Sequence, residues 1–326
     1  MHGGAITLAQ AWEQIDGIPD LIIASDMLDL STFLALTRKK TANIPTVCYF
    51  HENQLAYPWS PSDPDPLIGR DLHYGFINFS SACCADYVLF NSNYHKQQFL
   101  QDTQQLIKSM PDNIPYTAWE QLQKKSQVLP LGLDLQQLMQ QSRKALSKLP
   151  LILLWNHRWE YDKDPDTFFS VCRALKDKHI PFQLILLGES YREIPSVFKQ
   201  AYTDFSSEII HSGYVADRKS YEKWLHSATV IPVTSRQDFF GISTAEAIAA
   251  GCYPFVPDRL AFPELIPDSC HPACLYYSVE ELIDRLAQFP PFDYQQIMET
   301  LQKHLGLFDW TVMASHYDAL FEEWGC

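Results

Sequence analysis

Residues Ser235 to Gly251, SRQDFFGISTAEAIAAG, place two carboxylates, Asp238 and Glu246, on either side of a Phe-Phe-Gly turn. Gly241 would let the backbone approach a ligand closely. A helix starting there would offer a diphosphate its free N–H groups and positive dipole end, along Phe240, Gly241 and Ile242. The flanking carboxylates suit hydroxyl-rich groups that need acceptors, with one reaching a sugar and the other a nucleotide ribose. A plainer reading, an acidic helix start that complements the dipole, stands beside this one.

A second group lies in Leu151 to Pro165, LILLWNHRWEYDKDP, where an apolar run leads into Asn156-His157-Arg158 and then Lys163. Arg158 offers a planar fork for phosphate oxygens and Lys163 a mobile point charge, the pair a leaving nucleoside diphosphate needs. On the plainer reading they pair with Glu160, Asp162 or Asp164 at the surface, where ion pairs contribute little. A third group, His51-Glu52-Asn53-Gln54, follows the strand-like Thr46 to Phe50. Four polar residues directly after a buried strand are candidates for holding an acceptor and a transferred group. Arg70, Asp71, His73 and Tyr74 have the spacing of one helical face and could join them, with Tyr57-Pro58-Trp59 as a wall. Aromatics Tyr57, Trp59, Tyr74, Phe76 and Phe79 could stack unpaired bases, although aromatic residues are more often core or wall.

These groups need strands to carry them. Ala228 to Val233 is short and β-branched, as a buried parallel strand is, and a helix should follow from about Gly241. Apolar and amphipathic segments alternate throughout, the pattern of α/β domains with parallel sheets. With 326 residues, 46% of them hydrophobic, the chain can bury two cores. The domains are expected at 1–145 and 146–326, with a break near Ser142 to Lys148 after the strand-like Gln127 to Pro130. Gln101 to Lys125 is Gln-rich and Pro-interrupted, so a loop with short helices is expected there. The last helical segment is expected at Trp310 to Trp324. In an open parallel sheet, the groups after strands Thr46–Phe50 and Leu151–Trp155 would face the ligand crevice.

The order Arg158, Lys163, Asp238, Glu246 resembles that of retaining GT-B glycosyltransferases. The stretches YFHENQLAYPW (Tyr49 to Trp59), RDLHYGFINFSSACCADYVLFNS (Arg70 to Ser92) and NHRWEYDKDP (Asn156 to Pro165) closely resemble the tRNA-queuosine mannosyltransferase family. Leu187-Gly188-Glu189, His211 to Tyr214 and Gly251 to Pro254 continue the resemblance over nearly the whole chain. It implies a GT-B fold, two Rossmann-like, doubly wound parallel-sheet domains facing a crevice, with the last helix, Trp310 to Trp324, crossing back onto the first domain. It further implies transfer of mannose from GDP-mannose, with retention, to queuosine in a tRNA anticodon. Within that scheme Arg158, Lys163 and the helix start take the diphosphate, Asp238 the sugar and Glu246 the ribose. Asn156 lies on the donor side, and Gly188, Glu189 and Tyr214 approach the base. His51 and Glu52 serve the reaction centre, and Asn53, Gln54, Arg70, His73 and Tyr74 serve the acceptor. No metal or other cofactor is expected. Asp238 stands where most relatives carry Glu, which should alter sugar contacts without abolishing activity. The opening residues, MHGGAITLAQAWEQIDGIPDLIIASD, resemble the family from its second helix onward. The first domain is therefore expected to lack its initial β-α-β, with Met1 an internal methionine or a truncation point. Other readings of the same residues are transfer to a small molecule or lipid, a non-catalytic nucleotide-binding module, and an epimerase or phosphorylase.

A net charge of −14 argues against a general nucleic-acid binder but leaves room for a local tRNA surface. No apolar run has the length of a membrane span, and no signal peptide opens the chain, so a cytoplasmic location is expected. The eight cysteines are scattered. Cys270-His271-Pro272-Ala273-Cys274 lacks a fourth ligand nearby, so the cysteines read as reduced and structural. Asp162-Lys163-Asp164 resembles the metal-holding aspartates of another glycosyltransferase class, but a solvated helix cap accounts for it better.

Overall fold

The computed structural model describes residues 3–56, 72–140, 151–189 and 195–325. Contacts divide the chain into two units, Met1–Leu131 with Ala314–Cys326, and Gly132–Met313.

The first unit runs α1 (Gly4–Trp12), β1 (Ile22–Ser25), α2 (Leu30–Thr41), β2 (Thr46–Phe50), α3 (His73–Cys84), β3 (Tyr87–Phe90), α4 (Asn93–Lys108), α5 (Tyr116–Lys125) and β4 (Ser126–Val128). Its described strands form one parallel sheet in the order β1-β2-β3-β4, with Ile22 opposite Thr46 and Val47 opposite Tyr87. All five residues of β2 are buried, as the apolar Val47, Cys48, Tyr49 and Phe50 demand of a strand covered on both faces. Phe50, Phe90 and Phe99 stack at its core. Asp29 caps α2 by accepting from Thr32 N–H at 2.9 Å, and Ser92 caps α4. The Gln-rich region is more ordered than its composition predicts. Its buried residues Phe99, Leu100, Thr103, Leu106 and Ile107 recur at helical spacing, so α4 continues unbroken to Lys108.

The second unit contains α6 (Gln136–Gln140), β5 (Leu151–Trp155), α7 (Pro165–Asp177), β6 (Phe182–Leu187), α8 (Ser196–Asp204), β7 (Ile209–Gly213), α9 (Arg218–Ser227), β8 (Val230–Pro232), α10 (Ile242–Ala249), β9 (Tyr253–Pro257), α11 (Phe262–Leu265), α12 (His271–Cys274), β10 (Leu275–Tyr276), α13 (Val279–Ala287) and α14 (Tyr294–Leu305). Its six described strands are all parallel, in the order β10-β9-β8-β5-β6-β7. The chain winds outward from β5 to β7, then returns to β8 on the other side of β5. The winding direction therefore reverses between β5 and β8, and ligands of such sheets bind outside the carboxyl ends of strands at that reversal.

The contact division falls between Leu131 and Gly132, ahead of the break expected near Ser142 to Lys148, which lies outside the described residues. Main-chain bonds explain the difference. Leu133 N–H donates to Phe308 O at 2.8 Å, Trp310 N–H donates to Leu133 O at 2.9 Å, and the Asp309 carboxylate accepts from Leu135 and Gln136 N–H. Residues 132–140 are thereby fastened to the second unit. The last helix, α15 (Trp310–Gly325), begins in the second unit, and its residues from Ala314 onward belong to the first. There the Trp324 ring stacks on Tyr87 at 3.9 Å and Tyr317 OH donates to Pro130 O at 3.0 Å.

Gly188, at the end of β6, has φ +128°, and a Cβ there would lie 2.1 Å from His157 O. The glycine is thus required by packing as well as by backbone conformation. Gly188→Ala is expected to destabilise the protein by about 3 kcal/mol or more, read as a lowered thermal midpoint, whereas an unchanged midpoint would contradict the packing account.

Candidate active site

At the reversal point the loops leaving β5 and β8 are joined by backbone and side chain alike. The β8–α10 loop folds back so that Arg236 N–H donates to Asp162 O at 2.8 Å, and Thr234 Oγ1 lies 3.0 Å from both Lys163 O and Asp164 O. Asp164, in the left-handed region at φ 55°, caps α7 through Thr167 and receives both arms of Arg236 at 2.9 and 3.0 Å. It is a helix cap, as its sequence suggests, but a buried one rather than a solvated one. Among the described residues no three His, Cys, Asp or Glu side chains converge as metal ligands. His271 Nε2 lies 3.1 and 2.8 Å from the carbonyl oxygens of Pro263 and Ile266.

This junction brings together residues far apart in the chain. Lys163 Nζ lies 2.7 Å from Gln237 O, 3.2 Å from Asp162 Oδ2 and 3.4 Å from Asp238 Oδ2. Asp238 Oδ1 accepts from Phe240 N–H at 3.2 Å, which bends the chain into Gly241. Gly241 takes φ +91°, as an L side chain rarely does, and forms the N-cap of α10. The first N–H groups of α10 have no partner within the helix, so a cation, a carboxylate and a helix N-terminus adjoin one another. Arg158 is half-exposed beside Glu160, at 3.5 Å. The ion pairs of the plainer reading are therefore present, and they coexist with the cluster. Phe240 is buried edge-on against Phe308, so its side chain packs while its backbone leads into the helix. The Ile242 and Tyr214 side chains are exposed.

Asn156 and His157 tie the end of β5 to α10. Asn156 Nδ2 donates to Ser243 O at 2.7 Å and lies 3.3 Å from Tyr221 OH, and His157 Nδ1 lies 2.8 Å from Ser243 Oγ. Burial, with the Lys163 charge adding to it, pushes His157 down to about 3, so its ring is neutral. Glu189 O accepts from Trp159 N–H at 3.1 Å, which holds the β6 end against the loop after β5. Glu246 in α10 accepts from Arg218 Nη1 at 2.5 Å and from Tyr221 OH at 2.9 Å. Burial, then the Glu246 charge, pushes the Tyr221 phenol far up, which keeps it a donor. Sequence reasoning missed Arg218 and Tyr221. Their three-residue spacing after the capping Asp217 signals one helix face, but not which neighbour that face meets.

In the first unit, residues just after β1 and β2 meet at one sheet edge. His51 N–H donates to Asp26 Oδ1 at 2.9 Å, and the His51 ring lies 4.5 Å from that of Tyr49. Burial holds His51 below the ordinary imidazole range. Gln54 Nε2 donates to Glu52 Oε2 at 3.2 Å. Asn53 is fully buried, donating to Asp102 and accepting from Leu55 N–H, so its amide shapes the turn that presents Glu52 and Gln54. His73 and Phe76 on α3 are exposed and Tyr74 is half-buried, whereas Phe79 is core. Tyr57, Trp59, Arg70 and Asp71 lie outside the described residues. Asp26 was not singled out in the sequence, although it follows β1 as His51 follows β2.

Asp26 is 1% exposed, and its Oδ2 has no hydrogen-bond partner. Burial, with Glu52 adding to it, raises its pKa from 3.8 to about 6. The carboxyl therefore costs nothing while both folded and unfolded chains hold its proton. The cost builds from about pH 4, where the unfolded chain gives up this proton and the folded one keeps it, and levels off above about pH 6, where both are ionised. Asp26→Asn is expected to leave stability unchanged near pH 3 and to raise it by about 2 to 3 kcal/mol near pH 8, read by denaturant unfolding at both values. If Arg158 takes a diphosphate, as the sequence resemblance implies, Arg158→Ala is expected to weaken GDP binding about tenfold by calorimetry, and unchanged affinity would exclude that role.

Residues 1–133 match the family model for the N-terminal domain of tRNA-queuosine alpha-mannosyltransferase, and residues 150–289 match that of glycosyl transferases group 1. A tRNA-queuosine alpha-mannosyltransferase from Drosophila melanogaster is 32% identical over 254 residues, 76% of this chain. The matched part spans 66% of that relative's length. The fold is similar to sucrose-phosphate synthase from Thermosynechococcus elongatus, with a TM-score of 0.72 and 16% identity, covering 96% of this chain and 75% of that one. It is also similar to Anabaena HepE in complex with UDP and glucose, with a TM-score of 0.67 and 14% identity, covering 97% and 80%. Both sheets and these likenesses make the fold GT-B, and the chain belongs to the tRNA-queuosine alpha-mannosyltransferase family.

Proposed function

We propose that this chain transfers a sugar, mannose from GDP-mannose, to queuosine in tRNA with retention of anomeric configuration. One observation carries the donor half of the reading. Lys163, Asp238 and the α10 N-terminus adjoin at the reversal between β5 and β8, where a parallel sheet binds its ligand. The acceptor half is supported by the family of the N-terminal region and by the reaction named for the Drosophila relative.

Breaking the sugar–phosphate bond leaves positive charge on the sugar and negative charge on the diphosphate. Lys163, Arg158 and the first N–H groups of α10 would stabilise the departing diphosphate, the larger electrostatic requirement of the step. No metal is invoked, because these groups supply the positive charge. Asp238 would orient sugar hydroxyls, Glu246 would accept from the ribose, and Gly188, Glu189 and Tyr214 would border the base. Retention follows if the acceptor hydroxyl attacks the face the diphosphate leaves and passes its proton to that diphosphate. His51, Glu52, Gln54, His73 and Tyr74 would serve the transferred sugar and the acceptor, with Asn53 holding their turn. Among the described residues no helix is long and apolar enough to cross a membrane, and a cytoplasmic site of action is part of the proposal.

Incubation with GDP-mannose and queuosine-containing tRNA, followed by nucleoside mass spectrometry, is expected to show a hexose-sized mass gain on queuosine. Sugar release or transfer to a small molecule at the same rate without tRNA would overturn the acceptor assignment.

A further inference from the structure

Glu246 does not stand alone at the edge of the donor region. Arg218 Nη1 bonds one of its oxygens at 2.5 Å and Tyr221 OH the other at 2.9 Å. Each of these donors is itself fixed. Arg218 Nε donates to Glu222 at 2.8 Å, and Asp217 caps the first turn of α9 by accepting from Ser220 N–H at 2.8 Å. Asn156 Nδ2 donates to the Tyr221 oxygen at 3.3 Å, which leaves the phenol proton directed to Glu246. A line of bonds thus runs from the carboxyl end of β5 through Tyr221 to Glu246, with Arg218 bracing it from the opposite oxygen.

We infer that Arg218 and Tyr221 are positioning residues that aim the Glu246 carboxylate at the two hydroxyls of the donor's ribose. A carboxylate has about four acceptor sites, two on each oxygen. The protein fills one on each, which leaves one on each for a neighbouring pair of hydroxyls. A glutamate held this way has already lost its rotamer freedom, so the ribose does not have to order it on binding. The Glu246 side chain keeps 16% of its surface open, and that of Arg218 keeps 45%, so the carboxylate edge is reachable. The inference rests on the reading of the second unit as a nucleotide-sugar site. It adds the two residues on α9 that make Glu246 a ribose contact.

Calorimetry on the full chain compares GDP with 2′,3′-dideoxy-GDP, and UDP with its dideoxy counterpart. The wild type should prefer the nucleotide carrying ribose hydroxyls. Arg218→Gln is expected to weaken GDP about tenfold and Tyr221→Phe about threefold, while each changes dideoxy-GDP by less than about twofold. In the transfer assay both variants should raise the donor KM with little change in kcat, since a ribose contact acts equally on ground and transition states. Equal losses on both ligands, or unchanged GDP affinity in both variants, would overturn the inference. Tyr221→Phe alters a single oxygen and keeps the fold intact if Arg218→Gln does not. If the wild type binds neither GDP nor UDP, the nucleotide-sugar reading itself falls. If it binds and transfers sugar but shows equal losses, only the role of Arg218 and Tyr221 falls.

Discussion

Two loops leave neighbouring parallel strands in the same direction at the reversal of the second sheet, and their polar backbone must be satisfied where the strands end. The chain meets this constraint by bonding the loops to each other. Asp162 O takes the N–H of Arg236, the Thr234 hydroxyl bridges Lys163 O and Asp164 O, and Arg236 closes on the Asp164 carboxylate. A buried backbone group left unpaired would cost as much as a lost hydrogen bond, so the junction is strongly specified. Once it forms, Lys163 has little freedom. Its ammonium sits on Gln237 O between two aspartates, with Asp238 leading into the left-handed Gly241 and the start of α10.

The same junction explains the division of labour among the polar residues. The buried Asp164, Asn156 and Asn53 hold loops and helix starts in place through their hydrogen bonds. Glu246 and Arg158 keep more of their side chains open, at 16% and 44%. Neutral His157 belongs to the first group. Burial beside Lys163 removes its charge, and its Nδ1 lies against Ser243 in the first turn of α10. A charged imidazole there would stand against both the Lys163 ammonium and the positive end of the helix.

The first unit uses the same arrangement at lower polarity. Asp26 follows β1 and His51 follows β2, joined through the His51 N–H. The bond fixes where the chain turns away from the sheet and therefore where Glu52 and Gln54 project. Asn53 completes the turn from beneath, through Asp102 on α4. The buried carboxyl that holds this edge costs stability above the pH at which the unfolded chain ionises it, a local instability at a place where polar groups are gathered.

The strands β2 and β5, the glycine turn before α10 and the parallel α/β class were legible in the residues. Local apolar runs, turn glycines and strand-end polar clusters are properties of consecutive sequence. Less legible were α4, whose buried face is spaced through a polar, Gln-rich stretch, and the attachment of residues 132–140, which depends on Asp309 far along the chain. The sequence by itself determined which residue types stand at strand ends and helix starts, because strand period, helix period and backbone conformation are set within a few residues. Only the tertiary structure decided which of them meet. Lys163 with Asp238, Arg218 and Tyr221 with Glu246, and Asp26 with His51 are joined by strand order and helix packing, and those are fixed by burial of distant surfaces rather than by local spacing.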